Sequence, residues 1–146
     1  MHKLTNAHTR RVHVVTETVG TGPLYQGRYK SFLIENDTHF LTILKYTERN
    51  AVRAKLVQRT EDWRWGSAWL RIHGTKRQQR ILTKPPTPLP NKYQEWINDP
   101  EPAELLKQVR SSVTKGVPFG SMNWVETTIT QFGLKQTQRG VGRPRK

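Results

Sequence analysis

Tyr46 is followed by Arg49, Asn50 and Arg53 in the run Tyr46 to Val57, YTERNAVRAKLV. A phenolic oxygen can attack a phosphodiester and hold the cleaved strand as a phosphotyrosine ester, conserving the bond energy for rejoining, if cations or a metal neutralise the phosphate. At ~100° per residue on a helix, His39, Thr42, Tyr46, Arg49, Asn50 and Arg53 cluster on one side, opposite Phe40, Leu44 and Ala51. Spacing alone favours a plainer reading, in which Tyr46 caps an apolar edge and the arginines form a solvated face.

Other residues offer less. His8 and His13 are five apart, off the i, i+4 spacing that lets two imidazoles converge on a metal, so a surface or DNA-facing role is expected of them. His39 and His73 are isolated. Trp63, Trp65 and Trp69 have the chemistry to stack on unpaired bases, although tryptophans at short spacing beside a helix more commonly form core and lid. The absence of cysteine excludes disulfides, thiolate zinc sites and a cysteine nucleophile.

These residues need elements to position them. Lys3 to Val15 contains no Gly or Pro and reads as a basic helix that presents Arg10 and Arg11. Gly20 to Gly27 is a loop, and Arg28 to Glu35 (RYKSFLIE) alternates as a strand does. Asn36 and Asp37 are good N-caps for a helix from Asp37 to about Ala51, the element that carries Tyr46. The spacing then predicts a helix opened by Asp99 and Pro100 and closed by Gly116, and another capped by Ser121 that stops at Gly133. The division expected is a partial catalytic domain over 1–73, a Pro-rich linker over 74–92, a helical accessory region over 93–134 and a disordered basic tail over 135–146. Within the tail, Gly142, Arg143 and Pro144 resemble the core of an AT-hook, which lays arginines into the narrow minor groove of A·T-rich DNA. Val141 stands where full hooks carry arginine, so a solvated basic tail is the alternative.

Charge narrows the partner. The chain has 25 Lys and Arg against 11 Asp and Glu, a formal charge of +14, and such an excess attracts polyanions. No stretch approaches the ~18 apolar residues of a membrane span, and no signal peptide is evident.

Three stretches, Tyr25 to Ser31 (YQGRYKS), Tyr46 to Val57 and Glu61 to Ser67 (EDWRWGS), occur in the same order and close spacing in REP-associated tyrosine transposases. The chain resembles that family, which belongs to the single-tyrosine HUH transposases, over roughly Leu4 to Leu70. Its core motif is matched at Tyr46, Asn50, Val52, Arg53, Ala54 and Val57, and departed from at Ala51, where the family usually has proline. The resemblance implies an α+β fold: the C-terminal part of a ferredoxin-like HUH domain, mostly helical with one or two strands. It implies that Tyr46 is the nucleophile of a 5′-phosphotyrosine link, that Asn50 lies near the site, and that Arg28, Lys30, Arg49 and Arg53 lie along the bound strand. Arg10, Arg11, Arg143 and Arg145 are expected to add DNA contacts.

The same family binds its divalent metal, Mg or Mn, through a His-hydrophobic-His pair upstream of the matched region, and this sequence has no such pair. The chain is therefore expected to bind no metal by itself and to be a truncated or inactive copy, with Met1 an internal start or the gene decayed. Whether it is itself an enzyme stays open. The expected function is binding, nicking and joining of hairpin-forming single-stranded DNA, and the alternative is a non-catalytic DNA-binding protein that recognises repeat sequences. An RNA-binding basic protein explains the charge but not the tyrosine motif. The partner is DNA and not a membrane, a homodimer is left open, and the location is cytoplasmic and nucleoid-associated, of bacterial type.

Overall fold

The computed structural model describes residues 2–25, 30–36 and 38–138. It falls into two compact units, 1–31 and 32–146. The first is built on helix α1, His2–Val15. The helix ends where Glu17 adopts a left-handed φ of 55°, and His13 ties the following loop down. Its Nε2 donates to the Gly22 carbonyl at 2.9 Å, and its Nδ1 is hydrogen-bonded to the Thr18 hydroxyl at 2.8 Å.

Among the described residues of the second unit, every regular element is helical. Helix α2, Thr38–Glu48, is followed after one irregular residue by the short α3, Asn50–Arg53. At that irregular residue, Arg49, ψ is 4°, yet backbone bonds run on through Arg49 N–H to Lys45 O and Arg53 N–H to Arg49 O. The run ends in a Schellman turn, with Leu56 N–H bonded to Ala51 O and Lys55 N–H to Val52 O, and with Lys55 itself at φ 58°. A 3-10 turn at Thr60–Asp62 leads to α4, Ser67–His73, and α5, Lys76–Gln79. Beyond the proline-rich stretch come α6, Tyr93–Asn98, α7, Ala103–Lys115, and α8, Met122–Gln131, then a second 3-10 turn at Leu134–Gln138. Gly116 ends α7 with a left-handed φ of 74°, a conformation open to glycine at no steric cost.

The expected α+β, ferredoxin-like organisation is overturned: among the described residues there is no strand, and helices and 3-10 turns make up more than half of them. The stretch read as a strand makes one isolated parallel bridge, Ile34 with Phe119, through Glu35 N–H to Phe119 O at 3.0 Å and Phe119 N–H to Leu33 O at 2.8 Å. The bridge cannot extend because the opposing segment is short. Pro118 has no N–H to donate, Gly116 belongs to the end of α7, and Ser121 is already the N-cap of α8.

The buried apolar residues of this unit are few and include Ala51, Ala68, Ile97, Val109, Phe119 and Ile129. Lys45, Glu48, Arg49, Thr60, Glu61, Ser112 and Thr128 are buried beside them. A core so rich in polar groups holds only if each finds a partner.

Candidate functional site

Tyr46 is half-buried on α2, with the Arg53 guanidinium over its ring, Cζ lying 3.9 Å from the centroid. Arg53 also donates to the Tyr46 carbonyl, to the Asn50 side-chain oxygen at 2.5 Å and, from its other terminal nitrogen, to Glu101 at 3.4 Å. Tyr46, Asn50 and Arg53 are therefore brought together by the helix alone, as their spacing requires.

Arg49 joins them from the buried side. Its Nε donates to Glu101 at 2.9 Å, and one terminal nitrogen donates to the Ile97 and Asn98 carbonyls at 3.1 and 2.6 Å. Those carbonyls close α6, so Arg49 supplies the cation and donors that a helix C-terminus lacks. Next to it Lys45 pairs with Asp99 at 3.3 Å and lies 5.4 Å from the Trp96 ring centre. The arginine-bearing face is thus partly an interior face, with Lys45, Glu48 and Arg49 turned into the unit. Glu101, its side chain only 4% exposed, is the residue that sequence reasoning missed. The signal available was the acidic run Asp99, Glu101, Glu104 in an otherwise basic chain.

Glu48 links the tyrosine helix to the tryptophan-dense motif. It accepts from the Ser67 hydroxyl at 2.5 Å, from the Ala68 N–H at 2.9 Å and from the Tyr93 hydroxyl at 3.4 Å, capping the first turn of α4. Burial, reinforced by the Glu48 charge, pushes the Tyr93 hydroxyl well above its ordinary range, so it serves as a neutral donor. Nearby, Glu61 accepts from Asn98 at 2.7 Å and from Arg59 at 2.7 Å, and the Asn98 oxygen takes the Thr60 N–H at 2.9 Å. Burial pushes the Glu61 carboxyl upward, but the bonds from Asn98, its own backbone and Arg59 outweigh this and hold it below the usual carboxylate range.

Of the residues expected to touch DNA, Arg10 and Arg11 are exposed on α1, and Lys30 is exposed within the same unit. Arg28, Arg143 and Arg145 lie outside the described residues, as do Asp37 and the tail beyond Gln138. Residues 134–138, the junction with the tail, form the second 3-10 turn.

The divalent metal that the resemblance implies does not fit the residues at hand. Among the described residues no group of three or more His, Asp or Glu side chains could hold a metal ion. His8 is bonded through Nδ1 to the Tyr25 hydroxyl at 2.7 Å, and both nitrogens of His13 are engaged by its loop. No step is therefore routed through a metal. No helix among the described residues is long and apolar enough to cross a membrane. Comparison with known proteins found no matching family model, curated protein or solved structure.

Proposed function

We propose that the chain binds hairpin-forming single-stranded DNA as a transposase of the single-tyrosine HUH type, with Tyr46 as the attacking residue. The observation that carries this reading is the grouping of Tyr46, Asn50 and Arg53 on one helical run, in a motif of that family, with the guanidinium 3.9 Å from the phenol ring centre. In the reaction Tyr46 Oη bonds to phosphorus as the P–O3′ bond breaks. The phenolic proton is lost to solvent, the departing 3′ oxygen takes up a proton, and the 5′-phosphotyrosine is then open to a new 3′ hydroxyl. A cytoplasmic, nucleoid-associated location accompanies this reading.

The test is incubation with a labelled hairpin oligonucleotide and Mg²⁺ or Mn²⁺. With the family's His-hydrophobic-His strand supplied ahead of the chain, a covalent adduct that survives denaturation is expected, and none from Tyr46→Phe in the same setting. Undiminished labelling of the Phe variant sinks the assignment.

One observation favours a second reading, a non-catalytic protein that occupies DNA repeats. Arg49 and Arg53 both spend donors on Glu101, which leaves less positive charge beside Tyr46 to neutralise a phosphate. Tight, salt-sensitive hairpin binding with no adduct under either metal selects it.

A further inference from the structure

The tryptophan-dense motif builds a feature that Tyr46 does not use. Arg64, Trp65, Trp69, Gln78, Ile81 and Leu82, contributed by the α4 entry, α4, α5 and the turn after it, line a cleft of about 560 Å³. That is the size range of small-ligand pockets, roughly 300–1,000 Å³. Trp65 is 79% exposed and Ile81 77% exposed, so neither side chain serves the interior, and both are left in water at the mouth of the cleft.

Three features say what would cover them. First, over residues 59–84 the sequence has seven Lys and Arg (Arg59, Arg64, Arg71, Lys76, Arg77, Arg80, Lys84) against two acids, Glu61 and Asp62, so the surroundings select an anion. Second, the Arg64 guanidinium carbon is 5.7 Å from the Trp65 ring centre, and Arg64 has no carboxylate partner among the described residues. The cation thus lies over the apolar platform with no carboxylate to hold it there, a pairing that can receive a base together with its phosphate. Third, Gln78 has its carbonyl oxygen occupied by the Thr75 N–H at 2.9 Å and the Thr75 hydroxyl at 3.0 Å. This fixes the acceptor end of the side chain and leaves the amide N–H group unused on a residue that lines the cleft.

We propose that the cleft beside Trp65 is a nucleobase pocket, in which an unpaired base of single-stranded DNA stacks on Trp65, its phosphate meets Arg64 and Gln78 donates to the base edge. The proposal rests on the reading of the chain as a binder of single-stranded DNA and adds where a base is held. It places that base on the α4–α5 side of the unit.

The test compares binding of the full chain to oligothymidylate and to an abasic strand of equal length, which keeps the phosphates and lacks the bases, by fluorescence titration. The wild-type chain is expected to prefer the base-bearing strand and to lose tryptophan emission on binding it. Trp65→Ala should weaken that strand roughly tenfold and leave the abasic strand unchanged, and Trp65→Phe should recover most of the loss. Because Trp65 is exposed, the Ala variant is expected to fold, which its circular dichroism would verify.

Equal binding of the two strands by the wild-type chain, or equal binding of oligothymidylate by wild type and Trp65→Ala, overturns the pocket while leaving hairpin binding to stand. Failure to bind any DNA overturns both readings. A base preference that depends on Trp65, in a chain that forms no phosphotyrosine adduct, supports the pocket and removes the transposase.

Discussion

A buried guanidinium must find acceptors for its donors, and Arg49 finds two main-chain carbonyls and the carboxylate of Glu101. Removing one partner of a buried pair leaves the other charge uncompensated, which costs about 3–5 kcal/mol. Glu101→Ala is therefore expected to lower stability by about 3 kcal/mol, read as a shift in the urea midpoint at unchanged slope. A shift within ~0.5 kcal/mol would show that Arg49 is satisfied by the carbonyls alone. Glu61 makes a separate prediction through pH. Its folded carboxyl is held below the ordinary range, so it contributes stability that is fully present above the unfolded carboxylate pKa and is lost as pH falls through the folded value. Glu61→Gln should lower the melting temperature at neutral pH, and the gap from the wild-type chain should narrow as the solution is acidified from about pH 5. A gap that stays constant or widens on acidification contradicts the assignment.

At the scale of elements, the segment between α7 and α8 decides how the stretch before α2 is held. Glu35 accepts from the Ser121 N–H at 2.6 Å and from its hydroxyl at 3.2 Å, anchoring the start of α8. Gly120 sits inside that clamp, where an added Cβ would lie 2.6 Å from the Trp124 ring and 2.8 Å from Glu35 Cβ. Gly120→Ala is expected to cost about 1–3 kcal/mol by overpacking and to increase amide exchange at Glu35 and Phe119, whose N–H groups form the bridge. Unchanged exchange there would mean that the clamp and the bridge are independent. The same region shows where the sequence stopped being informative. Helices α1, α2 and α8, and the end of α7 at Gly116, were legible because a helix is specified by local spacing and by residues such as Gly116 at its end, whereas Asp99, expected to open α7, instead ends α6, and α7 begins at Ala103. The alternation of Arg28 to Glu35 looked like a strand because alternation reports what one segment can do, whereas a sheet also needs a partner of matching length, and Pro118 and Ser121 deny it one. The candidate site divides in the same way. Tyr46, Asn50 and Arg53 converge through one helix and were readable, but Glu101 meets Arg49 across 52 positions of chain, and no local pattern encodes that distance. Its effect was to turn Arg49 from an expected solvated face toward the acidic segment between α6 and α7.

For the whole molecule, the charge of +14 must be apportioned between folding and binding. Lys45, Arg49 and Arg53 pair with Asp99 and Glu101 and add little attraction for a polyanion, so on the proposed reading hairpin affinity would come from the other cations, among them those of residues 59–84 and the terminal Arg139, Arg143, Arg145 and Lys146. Binding that neutralises phosphates releases counterions, and the logarithm of the affinity falls linearly with the logarithm of salt, by ~0.7 per phosphate contact on a single strand. If about five phosphates are engaged, affinity should drop roughly 100-fold between about 50 and 200 mM salt. Ending the chain at Gln138 removes four of these cations and should flatten the salt slope by up to about three units. Because the cleft beside Trp65 lies wholly before the deletion, the preference of the shortened chain for base-bearing over abasic DNA should be unchanged. A slope left intact would place the tail off the DNA. A slope that flattens together with the base preference would mean that the tail helps to position the strand over Trp65, instead of adding charge alone.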